Sequence, residues 1–392
     1  MPTRVGMNLD SLLAEAVRLG ASDIHLKLGR PPLVRVDGTI APLDASATLT
    51  EADLDSFVRM LTSPAPLRYE RFQETGDLDL AYTAQGLPRF RVNVFRQRGA
   101  TSVVLRVIPR EAPRIAELGL PVAVERLADE HRGLVLVTGA TGSGKTTTLA
   151  AMIDHINRTR RSHIVTIEDP IEVLHDDQES IVNQREIGLD TESFEQALRR
   201  ALRQDPDTIM IGELRDAETA QTALQAAESG HLVFSTLHTV DAAETIARLV
   251  EFFPEAKQQQ IRSILAGVLR GVISQRLLPG LSGGRVAVLE LMVNNARIAD
   301  LIREGRPEEI PAAIVEGEFF GMQTFEQALV GKVLSGSVDR DAAADAATNR
   351  HDFLVALERH LKAQTAERAA EPVAVPVEPA EPAGSGLRVA QL

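Results

Sequence analysis

Residues 134–138, Leu-Val-Leu-Val-Thr, run into Gly139-Ala140-Thr141-Gly142-Ser143-Gly144-Lys145-Thr146. No other feature constrains the chain as strongly. An apolar β-favouring run, a glycine loop with Lys-Thr, and helix-forming sequence from Thr147 to Ile156 form the strand–loop–helix context that makes G-x-x-x-x-G-K-[ST] credible. Glycines let backbone N–H groups curl around phosphate oxygens, and the following helix directs its positive end at the same anion. Gly139, Thr141, Gly142, Ser143, Gly144, Lys145, Thr146 and Thr147 are the expected nucleotide-binding set. Lys145 is placed to bridge the outer phosphates of ATP, and the Thr146 hydroxyl to ligate Mg²⁺. The plain alternative is a glycine-rich turn before an ordinary helix. Spacing, Lys, Thr and both flanks argue against it.

The surrounding sequence bounds what else the chain can be. Its 392 residues allow two or three domains. A net charge of −13 opposes a sequence-independent hold on phosphate backbones, and without Trp and with two Tyr there is little for bases to stack on. No direct nucleic acid is expected. The absence of cysteine excludes disulfides and thiolate zinc sites. The first ten residues lack an apolar signal core, and no run approaches the roughly 18 apolar residues of a membrane span. The reading is a cytoplasmic protein that meets membranes through partners.

Asn8 to Leu19 reads as an amphipathic helix and Leu54 to Leu61 as another. Period-2 alternation at Ile24–Leu28, Val34–Val36, Leu78–Tyr82, Phe90–Val94 and Val103–Val107, with an Asp37-Gly38 turn, predicts a small α+β domain over residues 1–109. Residues 110–118 read as a linker. Strand–helix alternation over 119–362 predicts a parallel α/β sheet, with strands at 134–138, 163–168, 207–212 and 231–236. From about residue 254 the chain reads as mostly helical, including 258–273. The Pro/Ala/Val/Glu-rich stretch 363–392 reads as a disordered tail.

Hydrolysis needs a metal sphere, a group acting on water, and positive charge for the transition state. The strand 163–167 ends in Glu168-Asp169-Pro170, so these acids should face the phosphates and Mg²⁺ from a carboxyl strand end. Residues 207–211 end in Gly212-Glu213, with Gly where many P-loop enzymes place the metal-holding Asp. Glu168 is read as the base and Glu213 as reaching the metal through water. The residues alone leave the reverse division open. His238 ends a third strand and is a candidate γ-phosphate sensor. Arg91, Arg96, Arg98 and Arg106 read either as arginines set inward on strands, where a docked phosphate would compensate their charge, or as a solvated basic edge.

Together these segments resemble the secretion-type hexameric ATPases, and within them the type IV pilus retraction (twitching-motility) ATPases. The matches are Ala21-Ser22-Asp23-Ile24-His25, Arg89-Phe90-Arg91-Val92-Asn93, residues 139–147, 166–172, 180–186 and 212–216, the His231/His238 pair, and Ser274-Gln275-Arg276-Leu277. The resemblance implies a PAS-like first domain, a RecA-like second domain, and a homohexamer that binds ATP with Mg²⁺ between the domains. It implies catalytic roles for Glu168, Glu213, His238 and the N-domain pair Arg91 and Arg106, with Thr146, Glu213 and Asp169 about the metal. It further implies an inner-membrane pilus platform protein as partner. The missing four-cysteine zinc insertion favours retraction over assembly or secretion. The run Ala296-Arg297-Ile298-Ala299-Asp300-Leu301-Ile302-Arg303-Glu304 keeps only the Leu-Ile-Arg-Glu end of a retraction motif, so an accessory retraction paralogue is the alternative.

Overall fold

The computed structural model describes residues 7–36, 38–43, 47–109 and 111–370, with side chains as far as 363. Asp37 of the expected turn and residues 371–392 of the expected tail lie outside the described residues.

The first sheet has the order β3-β2-β1-β6-β5-β4. Its strands are β1 (Asp23–Lys27), β2 (Leu33–Val36), β3 (Thr39–Pro42), β4 (Asp77–Thr83), β5 (Arg89–Gln97) and β6 (Ala100–Ile108). Helices α1 (Leu9–Arg18), α2 (Glu51–Thr62) and α3 (Leu67–Thr75) accompany it. Asn8 caps α1, and Thr50 with Asp53 closes a reciprocal capping box on α2, so both helix starts are fixed by local sequence. Ile24, Leu26, Phe90, Val92, Val94, Val103 and Leu105 face one core together with Leu9, Leu13, Leu54 and Phe57.

Period 2 then decides between the two readings of the first-sheet arginines. Because Phe90 and Val92 take the core face, Arg91 must take the other. Arg91 and Arg106 are exposed and lie directly opposite each other in the β5–β6 register.

The second sheet has the order β13-β12-β7-β11-β10-β8-β9. Helix α4 (Val122–Ala128) leads into β7 (Gly133–Thr138), α5 (Lys145–Thr159), β8 (His163–Glu168), β9 (Ile181–Glu186), α6 (Phe194–Ala201), β10 (Thr208–Ile211), α7 (Ala217–Glu228) and β11 (Leu232–Leu237). Then come α8 (Ala242–Glu251), α9 (Glu255–Val268), β12 (Leu269–Pro279) and β13 (Arg285–Val293). All strand pairings are parallel except β12–β13. Leu134 and Leu136 of β7 point to one core while Val135 and Val137 point to the other, so helices must cover both faces. Each such buried Leu or Val contributes about 1.5–3 kcal/mol.

The segment beyond residue 254 is mostly helical, but two strands, β12 and β13, interrupt it. Helix α9 stops at Val268, and the chain enters the sheet beside β7. Gly271 is required there: a Cβ would sit 2.8 Å from the Met292 carbonyl oxygen and from both Leu127 methyls. Helices α10 (Ala296–Glu304), α11 (Ile310–Val315), α12 (Phe325–Leu334), α13 (Arg340–Ala346) and α14 (Arg350–Ala370) follow. Phe325, Leu329, Phe353 and Leu357 pack with Leu278 and Val288 of β12 and β13. Helix α14 runs on to Ala370, so residues 363–370, expected in the disordered tail, are helical.

Candidate active site

The glycine loop leaves the carboxyl end of β7 and becomes the first turn of α5. Gly139, Gly142 and Gly144 take φ of 141°, 79° and 90°, a region open to glycine. Two of them are also crowded by β12. A Cβ on Gly139 would lie 2.4 Å from the Gln275 carbonyl oxygen, and one on Gly144 would lie 2.7 Å from Gln275 Nε2. Thr148 Oγ1 donates to Gln275 Oε1 at 2.7 Å, and Thr138 Oγ1 donates to Ser274 Oγ at 3.1 Å. Strand β12 is thus the wall on which the loop is moulded.

Lys145 Nζ donates to the carbonyls of Gly139 (2.7 Å) and Ala140 (3.0 Å) and lies 3.5 Å from His238 Nδ1. Burial holds its ammonium below the usual lysine range, while the charges of Glu213 and Glu172 pull the other way. A buried cation without its own carboxylate contact suits an anionic ligand.

The loop opens into a cleft of about 660 Å³. Thr141, Gly142, Gly144, Lys145, Thr146 and Thr147 line it from one side, and Glu168, Asp169, Glu172, Glu213 and His238 from the strand ends. Arg91 and Arg106 reach it from the first sheet. Of the expected nucleotide set, Gly139 and Ser143 do not line the cleft. Gly139 presses on β12, and Ser143 Oγ is buried without a hydrogen-bond partner.

Glu168, last residue of β8, is buried. Its Oε1 accepts from Thr166 Oγ1 (2.6 Å) and Gln184 Nε2 (3.1 Å), and its Oε2 from the Glu172 N–H (3.4 Å). Burial pushes its carboxyl above the usual carboxylate range despite those donors. Glu213 is tied differently: it pairs with Arg215, and His238 Nε2 lies 3.2 Å from its Oε2. His238 thereby joins Glu213 to Lys145. The Nε2–H tautomer satisfies both contacts, donating to Glu213 and accepting from Lys145. His231 lies at the opposite end of β11, with Nδ1 2.9 Å from the Ala226 carbonyl oxygen, away from the cleft.

Arg106 Nε donates to Asp23 Oδ1 at 2.8 Å, yet its side chain is 68% exposed. Arg96 instead donates to Gln73, and neither Arg96 nor Arg98 lines the cleft. Sequence reasoning gave no role to Gln184, Gln275, Arg215 or Arg285. Arg215 and Arg285 line the cleft, and the other two brace Glu168 and the loop. All but Arg285 lie within the motif segments, which is the signal that could have found them.

Among the described residues, no group of three or more His, Asp or Glu side chains is arranged to hold a metal ion. Mg²⁺ keeps waters and substrate phosphates as ligands and takes one or two protein oxygens. The cleft offers the Thr146 hydroxyl and the Asp169 and Glu213 carboxylates to such an ion. The glycine cradle and Lys145, buried without a carboxylate contact of its own, fit a phosphate chain.

Residues 4–283 match the family described as type II/IV secretion system protein. The type IV pilus retraction ATPase PilT of Pseudomonas aeruginosa is 44% identical over 348 residues, covering 88% of this chain and all of that one. The type IV pilus ATPase PilU of the same organism is 39% identical, covering 88% of this chain and 90% of its own length. A crystal structure of the pilus retraction motor PilT with bound ADP superposes with a TM-score of 0.83 at 45% identity, over 88% of this chain and 98% of that one.

Proposed function

We propose that this chain, which belongs to the type II/IV secretion system protein family and is a P-loop ATPase of RecA-like fold, drives type IV pilus retraction as a homohexameric motor. One observation carries the reading most directly. Arginines from the first sheet and carboxylates from the second face one phosphate-binding loop, so the site is complete only when both halves of the chain meet over the nucleotide.

The residues divide the chemistry as follows. Backbone N–H groups of the loop and Lys145 bind the β- and γ-phosphates. Thr146, Asp169 and Glu213 are the oxygens that would hold Mg²⁺, which when bound neutralises charge on those phosphates. Glu168 orients a water for in-line attack and accepts its proton as the γ-phosphoryl group leaves ADP. Arg91 and Arg106 stabilise the charge of the transferring group. Hydrolysis followed by release of phosphate and ADP removes the anions that draw the arginines inward, and the first domain, which we read as PAS-like and as ending near residue 109, rotates against the second. An inner-membrane pilus platform protein would receive that rotation, with the ring at the cytoplasmic face. Among the described residues no helix is long and apolar enough to cross a membrane. The relation to PilT, of which this chain covers the whole length, favours retraction over assembly.

Two measurements test this. Lys145→Ala should abolish phosphate release while the protein keeps its fold by circular dichroism; turnover at the wild-type rate would remove the assignment of the loop. Deleting the gene in its host should leave abundant surface pili that do not retract. Loss of pili would point to assembly, and retraction that fails only under load would point to an accessory paralogue.

A further inference from the structure

Among the described residues, one buried ion pair outside the cleft joins the two halves of the chain. Arg89 Nη2 donates to Glu186 Oε2 at 2.6 Å, with the side chains 15% and 4% exposed. Glu186 is in register with Glu168 across the parallel β8–β9 pair, and the Ile187 N–H donates to the Glu168 carbonyl at 2.9 Å. The same Glu186 Oε2 accepts from the Ile171 N–H at 3.3 Å, inside the acidic loop that follows Glu168. On the other side, Arg89 shares a strand face with Arg91, two residues along β5. One carboxylate thus touches the strand that carries a cleft arginine and the loop that carries the cleft acids. Arg89 Nε is buried with no hydrogen-bond partner among the described residues. Arg68 Nη2, which donates to the Gly188 carbonyl at 2.5 Å, adds a weaker polar link nearby.

We infer that Arg89 and Glu186 are positioning residues for ATP hydrolysis, a latch that couples the approach of Arg91 over the cleft to the placement of the 168–172 loop. Neither residue lines the cleft. The inference rests on the ATPase reading for its kinetic consequence and not for its structural one.

The absence of native cysteine allows clean double labelling. Spin labels at Glu74→Cys on α3 and Gln221→Cys on α7, both exposed, report how the two halves sit. Labelled protein is diluted with unlabelled protein and measured with ADP and Mg²⁺. A narrow distance distribution is expected, and Arg89→Ala should broaden it. The same variant should lower kcat about tenfold with ADP affinity within about threefold, because the loop and Lys145 are untouched.

The exchange Arg89→Glu with Glu186→Arg separates the two duties. It restores a cross-domain pair, so the narrow distribution should return. An arginine at 186 cannot accept from the Ile171 N–H, so kcat should stay low. Arg89→Lys is the variant to use if Arg89→Ala does not fold. It keeps one charged donor and should give an intermediate width. An unchanged distribution in folded Arg89→Ala would overturn the latch. Full recovery of kcat in the exchange variant would overturn the coupling to the loop. If wild-type protein failed to hydrolyse ATP, the distance measurement would still decide the latch, so the two readings fail separately.

Discussion

Glu168 and Glu213 end neighbouring strands, β8 and β10, and present two different carboxylates to the cleft. Glu168 is the more deeply buried, held by a hydroxyl, an amide and a backbone N–H, and its proton affinity is raised by burial. A raised affinity is what a general base working near neutral pH requires. Glu213 is paired with Arg215 and lies within hydrogen-bond reach of His238 Nε2, which suits a carboxylate that orders charge and metal water and leaves proton transfer to Glu168. Glu168→Gln is therefore expected to lower kcat by about 10²–10⁴-fold while ATP stays bound. Glu213→Gln is expected to raise the Mg²⁺ concentration needed for half-maximal rate. Single-turnover hydrolysis with a Mg²⁺ titration separates the two, and normal turnover in Glu168→Gln would transfer the base role to Glu213. Since only the ionised base acts, kcat in the wild type should climb with pH through the raised Glu168 value and then level.

At the scale of elements, β12 and β13 support the phosphate loop from behind, and Glu290 of β13 titrates within them. Its Oε1 accepts from the Ala242 N–H at the start of α8 at 2.8 Å. Burial pushes its carboxyl up to about 7, with Asp241 adding to the rise and the Ala242 N–H, Arg276 and Ser274 opposing it. The folded value lies above the unfolded one, so the native state holds the extra proton between them. The stability this confers is full below about pH 4.5 and is lost as pH rises through about 7. The loss amounts to roughly 3 kcal/mol. Glu290→Gln keeps an acceptor for Ala242 and removes the titration. Its unfolding midpoint should therefore exceed the wild type at pH 8 and match it at pH 4.5. Parallel denaturation curves at both pH values check this, and equal pH dependence in both proteins would exclude Glu290 as the source.

These elements were also where the sequence was hardest to read. The glycine spacing and the flanking strand and helix of the phosphate loop were plain, because each has a local cause. Residues 258–273 carry apolar side chains at helical spacing, so the helical reading runs past the end of α9 at Val268 into β12. Only pairing with β7 and the crowded Gly271 make it a strand. Strand β9 carries Asn183, Gln184, Arg185 and Glu186 at a sheet edge and lacks the apolar pattern of its neighbours. The acids after β8 were legible because a strand end marks them. Arg89 and Glu186, 97 residues apart, meet only in the folded chain, and no spacing encodes that contact.

On the scale of the whole molecule, the first sheet and the second have separate apolar cores, and the polar contacts Arg68–Gly188 and Arg89–Glu186 link them. Halves joined in this way are expected to move relative to one another. Arg91 and Arg106 stand opposite across β5 and β6, and one carboxylate, Asp23, contacts Arg106 at 2.8 Å and lies 3.8 Å from Arg35. Like charges set opposite in a sheet repel, and an anion placed before them turns that cost into a binding contribution. Nucleotide therefore acts as the counter-ion that joins the halves. At ADP about 100-fold above Kd the folded protein gains about 2.7 kcal/mol. Arg91→Ala should unfold at the same or slightly higher temperature without nucleotide, since the repulsion is relieved. It should lose about 1.4 kcal/mol of the nucleotide gain, the equivalent of about tenfold in affinity. Added salt should shrink the difference between the two proteins, because the arginines are exposed to screening. Calorimetric melts with and without ADP, at low and high salt, measure all three quantities. A variant that kept the full nucleotide gain would show that Arg91 does not bind the phosphates, and closure of the cleft would then rest on Arg106 and the latch.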